Sequence, residues 1–337
     1  MDRRAFMALA GTALVAFPRG ARATGGLDVT ATPESQHDMR VLLASGSFAP
    51  PRTIDAWHFA WNGLTYRGSA ATAYLPDGRN GLVNTLPLDA YLYGVLSREV
   101  SASWPATAQE AQAIVSRTYA LTKIRPEQPY DVVATQSDQV YGGIDGETVE
   151  GRAAVDATAG TILTYEAAPA HVAYGSCCGG QTAASADVWN TAYAYLPSIV
   201  DPHCAGTPGY AWNATLPLDV VAAGFGAAFA RIGDLRAVKL ECDAPGARPH
   251  GITFLGAADS FRTTPAAFRK ALGVSVVRSS FVRTIAFDRD GATLAVTGTG
   301  HGHGVGLCQW GARVMGETLG SRDILAFYFP GTAFGDG

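Results

Sequence analysis

Leu88, Leu92, Val95 and Glu99 are spaced four, three and four residues apart. A helix built on them carries one carboxyl in line with three apolar side chains. Whatever packs against that stripe must also cover an ionisable group, at least in part. Pro87 suits the first turn of such a helix. Glu99 falls near its C-terminal end, where the negative end of the helix dipole joins burial in favouring the neutral acid. Both effects raise the pKa, which is what a general acid working near neutrality needs. The alternative is a frayed last turn with Glu99 turned back into water.

After Trp104-Pro105 the alanine-rich stretch from about 105 to 123 predicts a second helix, carrying Gln112, Ser116 and Arg117. An arginine there could orient a carboxylate through paired hydrogen bonds. Close pairing with Glu99 would pull that pKa down, so geometry must decide. The alternative is a solvated helix arginine.

Around this helical pair the pattern is mixed. Residues 24–50 are polar and turn-rich and read as a loosely held lead-in. From Thr53 to Val83 the pattern is strand-like, with Asn62-Gly63 as a hairpin signal and Asp77-Gly78 as a further turn. A short strand is expected at 160–165. From about 217 to 289 short helices (222–232, 265–272) alternate with strands (274–278, 281–287), and a last helix is expected at 311–319. The fold class is therefore α+β with mixed short elements, not a regular βαβ array.

The chain has 337 residues and 47% hydrophobic content, enough for a large core in one or two domains. Residues 1–23 read as an export signal: Arg3-Arg4, an apolar run from Ala8 to Phe17, and the small-x-small site Ala21-Arg22-Ala23. The adjacent arginines resemble a twin-arginine signal; an ordinary secretory peptide is the alternative. Without this segment, with its four arginines and one aspartate, 21 basic face 28 acidic residues, a net charge of −7. That excludes a nucleic-acid binder held by phosphate contacts. No later stretch is apolar enough to span a membrane in the mature protein.

Two further clusters carry chemistry. His171, Cys177, Cys178, His203 and Cys204 lie within 34 positions. They could supply a structural zinc site or a Cys178–Cys204 disulfide. Near the C-terminus His301 and His303 flank Gly302 in a glycine-dense loop followed by Cys308, Gln309 and Trp310. In extended backbone both imidazoles point to one face, as a metal pair or as the wall of a binding groove. A tight turn is the bland alternative.

Several pieces, in this order, resemble the SpoIID/LytB family (sporulation stage II protein D and amidase enhancer). They are Leu88-Asp89-Ala90-Tyr91-Leu92, Arg98-Glu99-Val100, Trp104-Pro105, Ser116-Arg117-Thr118-Tyr119-Ala120, Asp138-Gln139-Val140-Tyr141-Gly142-Gly143, Tyr174-Gly175-Ser176-Cys177-Cys178-Gly179-Gly180, Gly302-His303-Gly304-Val305-Gly306-Leu307-Cys308-Gln309-Trp310-Gly311-Ala312 and Tyr328-Phe329-Pro330-Gly331-Thr332. The resemblance covers about residues 84–337 and implies a SpoIID-like domain with a small α/β insertion at 217–289. It also implies peptidoglycan glycan strands as substrate, stripped of stem peptides, and lytic transglycosylase activity in the periplasm or cell wall. The family's catalytic glutamate falls on Glu99 and its helix arginine on Arg117. Gln112, Ser116, Gln139, Tyr141, Tyr174, His303 and Gln309 are expected to line the substrate groove. No cofactor is required by this chemistry. Some relatives bind zinc through His and Cys residues in the region of 171–204, and this sequence departs from the usual pattern at Cys177, which precedes the usual Cys178, and at Cys308, where serine is common. Two rivals stay in view: a non-catalytic wall-binding protein that enhances a separate amidase, and a hydrolase using a second carboxylate such as Asp138.

Overall fold

The structure, a computed structural model, describes residues 37–337. The expected export signal (1–23) and the first part of the expected lead-in lie outside the described residues.

Asp38–Ser45 is an inner strand, not a loose lead-in. It pairs antiparallel with Asn80–Pro87 and parallel with Val132–Val133, and Ser69–Tyr74 closes the sheet beyond Asn80–Pro87. Met39 and Val41 alternate into the core at 0% exposure. A register shift between Leu42 and Ala44 breaks that alternation after two apolar positions, which hides the strand from a period-two reading. The Asn62-Gly63 signal does join two strands, His58–Trp61 and Leu64–Arg67. Both turn residues have positive φ, 50° and 79°, as a tight two-residue hairpin requires.

The sheet runs directly into α1 (Leu88–Glu99), with Pro87 as its cap residue; Pro105 likewise precedes α2 (Ala106–Leu121). A third helix, α3 (Val149–Ala157), is capped by Thr148, whose Oγ1 accepts from the Gly151 amide at 3.0 Å. α2 is buried on two faces. Ala113 and Ala120 pack with α1, α3 and the first sheet, whereas Ala111, Ile114 and Val115 pack with a second core built from residues 163–196 and 305–329. Only small or β-branched side chains let two cores close on one helix, which explains the alanine content.

Arg117 is the polar tie across these helices. Its Nε donates to Asp89 Oδ1 at 2.9 Å, Nη2 to the Val155 carbonyl at 3.0 Å, and Nη1 to Thr158 Oγ1 and the Thr161 carbonyl. At 1% exposure it is neither a solvated helix arginine nor a partner of Glu99.

A third apolar core stands apart, running from Trp212 to Val296. It includes the strands Ala211–Pro217, Val282–Asp288 and Thr293–Thr299 and a separate sheet of Leu235–Glu241, Gly251–Gly256 and Ser260–Thr263. The expected accessory portion (217–289) thus sits inside a larger unit. The helix expected at 222–232 is two, Leu218–Phe225 and Ala227–Arg231, broken at Gly226 (φ 53°). Residues 274–278, expected as a strand, form turns. The C-terminal helix is Gln309–Met315, two residues early, and a further helix, Ser321–Tyr328, follows it. The class is mixed α+β. Among the described residues no helix is long and apolar enough to cross a membrane.

Arg117→Met would leave Asp89 charged and buried without its partner. We expect a stability loss of roughly 3–5 kcal/mol in chemical denaturation. An unchanged midpoint would show that the pair is not holding the helices.

Candidate functional site

Glu99 closes α1, where the chain leaves the helix for extended backbone at Val100. Its half-buried carboxyl opens on a cleft of about 820 Å³. Tyr174, His303 and Gln309 line the same cleft, brought there from positions 75 or more residues away in sequence. The connection is a short parallel pairing of Tyr174 with Leu307 and of Gly175 with Cys308. It zips the mid-chain motif onto the C-terminal one and delivers Gln309 to Glu99.

The contacts around the carboxyl form a supported set. Gln309 Nε2 lies 3.5 Å from Glu99 Oε2 and 3.3 Å from Gln112 Oε1, so one amide bridges both. Gln112 is held in turn through its donation to Ser116 Oγ at 3.0 Å. From the other side the Tyr174 hydroxyl bonds Glu99, as does the Val140 amide. Tyr174 accepts from Gln139 Nε2 at 3.1 Å, and Gln139 Oε1 accepts from the Tyr91 hydroxyl at 3.2 Å. Among the described residues every donor to Glu99 is neutral. Burial pushes its pKa up, and these bonds pull it back only in part.

The expected groove residues therefore divide. Tyr174, His303 and Gln309 face the cleft, whereas Gln112, Ser116 and Gln139 are fully buried behind it and orient the residues that do. Tyr141 does not line the cleft; it packs beneath α1 against Gly94 and donates to Asn84 Oδ1 at 3.1 Å. Arg117, expected to position Glu99, is tied to Asp89 instead.

The glycine-dense loop is not extended. Gly300, Gly302, Gly304 and Gly306 all have positive φ. At Gly306 a Cβ would meet the Ala173 carbonyl at 2.1 Å, so close chain packing demands glycine there. At Gly302 a Cβ would meet nothing within 4 Å, and this glycine lines the cleft. His303 Nδ1 accepts from the Val305 amide at 3.0 Å. The neutral ring then carries its proton on Nε2, and burial lowers its pKa to about 4.

Trp189, which with Val188 belongs to the motifs of the family resemblance, also lines the cleft, as do Lys123, Tyr193 and Arg269, which sequence reasoning did not single out. The last three share no sequence signal because they come from separate segments, after α2, in a loop and on the helix Pro265–Leu272. Asp138 lines it too, but its oxygens are engaged. Tyr119 donates at 2.8 Å, the Val133 amide at 3.0 Å, and Lys123 Nζ lies 3.5 Å away.

The cysteines assemble differently from expectation. Cys178 and Cys204 are separate thiols with Sγ atoms 3.5 Å apart, not a disulfide. Cys178, Asp201, Cys204 and Cys308 converge, with ligand atoms all within 4.8 Å of one another and every residue buried. His171 stacks near Tyr193 and His203 meets Phe327 edge-on, so neither imidazole joins this group; Cys177 adjoins it through Cys204 and Cys308. The Cys308 sulfur accepts from the amides of Cys178 (3.2 Å) and Gly311 (3.4 Å). Tyr328 holds Asp201 Oδ2 at 2.9 Å. Three thiols and an oriented carboxylate are a donor set that suits a four-coordinate zinc ion.

Comparison with known proteins agrees with the motifs. The model of the family described as stage II sporulation protein (SpoIID) matches residues 77–165, which include Glu99, α1 and α2. An uncharacterised protein of Brachyspira hyodysenteriae is 29% identical over 278 residues, 81% of this chain and 73% of that protein. The amidase enhancer of Bacillus subtilis is 29% identical over 290 residues, 72% of this chain but only 40% of that protein. Stage II sporulation protein D of Bacillus amyloliquefaciens is 28% identical over 272 residues, 75% of each. The resemblance to the SpoIID/LytB family is thereby shown.

His303 yields a pH prediction. Its folded pKa lies below that of the unfolded chain, so the unfolded state takes up the extra proton first as pH falls. Stability should drop between about pH 6.5 and about pH 4, with the loss complete below that. His303→Gln should flatten this part of the profile in denaturation at a series of pH values; an unaltered slope would assign it to other groups.

Proposed function

We propose that this chain is an exported cell-wall protein, a lytic transglycosylase that cuts peptidoglycan glycan strands stripped of stem peptides. The observation that carries the reading is a cleft carboxyl, Glu99, whose pKa is raised by burial and whose hydrogen-bond donors are all neutral. Such a group keeps its proton to higher pH than an ordinary carboxyl and can give it up and take it back.

In the proposed reaction Glu99 protonates the glycosidic oxygen as the bond from the anomeric carbon to that oxygen breaks. The 6-hydroxyl of the same sugar then closes on the anomeric carbon, and its proton returns to Glu99. No water is consumed, and the product carries a 1,6-anhydro end. Nucleophile and electrophile share one ring, so proximity supplies much of the rate. One carboxyl suffices, whereas glycoside hydrolysis normally needs two. Asp138, the other acid on the cleft wall, is held by Lys123, Tyr119 and the Val133 amide, which favours the single-acid scheme. His303 lines the cleft as a neutral ring held between the Val305 amide and the Tyr174 backbone, and Tyr174 and Gln309 keep the carboxyl aimed into the cleft.

A relative named for enhancing an amidase supports a second reading, a wall-binding protein without lytic activity of its own. The two separate on naked glycan analysed by mass spectrometry. We expect the wild type to release anhydro-ended fragments and Glu99→Gln to slow release by about 100-fold or more while still binding glycan. Binding without any fragments favours the enhancer; reducing ends favour a hydrolase. Activity should fall as pH rises through the raised pKa of Glu99, because the acid must begin protonated.

We further infer a structural zinc held by Cys178, Cys204 and Cys308 with Asp201. It would fix the backbone one residue before Gln309. Elemental analysis should find one zinc per chain, lost with a lowered melting temperature in Cys204→Ser. Metal-free protein whose mass is two hydrogen atoms short of the all-thiol form would instead establish a disulfide.

A further inference from the structure

The proposed reaction leaves one buried charge of the cleft without a role. Arg269 lies on the helix Pro265–Leu272, which belongs to the accessory unit and not to the matched region 77–165. Thr264 caps this helix through the Ala267 amide, and Phe268 (0% exposed) and Leu272 (6% exposed) fix it to the third core. Arg269, next to Phe268, turns out of that core and onto the wall of the cleft that holds Glu99, His301, His303 and Gln309.

Its guanidinium has no partner among the described residues. Nε is shut off from water and makes no hydrogen bond, and no ion pair reaches the group. Burial is the one influence acting on it, with no carboxylate near enough to offset that burial. The other cations on the wall differ: Lys123 faces Asp138, and Arg98 is exposed to solvent. Arginine does not shed its proton to escape such a position. A half-buried, unpaired guanidinium beside two neutral imidazoles, which its charge helps keep neutral, is a site short of one anion.

We propose that Arg269 is the specificity residue of the cleft and takes the free lactyl carboxylate of a muramic acid unit whose stem peptide has been removed. The inference rests on the glycan-cutting reading and names the group that selects the strand. A free carboxylate matches the planar fork of arginine with two parallel hydrogen bonds. A peptide-bearing unit presents a neutral amide there instead, which leaves the guanidinium desolvated and unpaired. Selection for stripped strands is then exerted by the accessory unit, while the acid resides on α1.

The test uses binding, so that it stands apart from whether the protein cuts. Full-length Glu99→Gln protein is titrated calorimetrically with two probes: naked glycan oligomers, and the same oligomers with each lactyl carboxylate converted to its primary amide. We expect the carboxylate form to bind roughly tenfold tighter or more. Adding Arg269→Gln should abolish the difference while binding of the amide form is retained, which also reports an intact fold. Arg269→Lys should restore only part of it, since it returns the charge without the fork. A preference that survives Arg269→Gln, or equal weakening of both probes, overturns the proposal. Should the wild type prove unable to cut glycan, an Arg269-dependent preference would still uphold this inference while the lytic reading falls.

Discussion

A carboxyl group taken half out of water is costly unless something neutral receives it, and the architecture around Glu99 is arranged to meet that condition. A guanidinium at the same spot would orient the carboxyl equally well but would hold it ionised. The chain instead keeps Arg117 on Asp89, across the α1–α2 contact, and offers Glu99 an amide, a phenol and a backbone N–H. The two side-chain donors are each oriented by a second buried group, Gln112 behind Gln309 and Gln139 behind Tyr174. Orientation and a raised pKa are obtained together because the ordering groups carry no charge.

That arrangement explains the division into cores. α2 serves two of them, so the glutamine and serine on its second face are presented from a rigid support toward the C-terminal motif. The third core is independent of both and contributes a wall rather than the acid. In the proposed scheme catalysis and selection reside in parts that can vary separately.

Local signals were legible wherever chain-neighbouring residues decide the outcome. The four-three-four stripe through Glu99, the prolines before α1 and α2, and the Asn62-Gly63 hairpin all have causes within a few residues of themselves. Pairings across the chain were not. Arg117 and Glu99 stand on neighbouring helices, yet Asp89, in the first turn of α1, takes the ion pair. Cys308 was read as a departure from a serine, and only folding shows that it meets Cys178 and Cys204. The strand Asp38–Ser45 was hidden by its own bulge, and Arg269 had no pattern at all, since nothing in the helix Pro265–Leu272 says which wall it will face.

The short pairing of Tyr174 and Gly175 with Leu307 and Cys308 has a temporal consequence. Gln309 stands 210 positions after Glu99, so a chain still emerging from the ribosome has exposed its glutamate long before the amide that aims it exists. The pocket can close only after residue 309 has been made, in a docking step that joins distant segments. Forms that stop short of residue 309 therefore leave Glu99 without its amide partner, and the cleft is completed only when that motif seats.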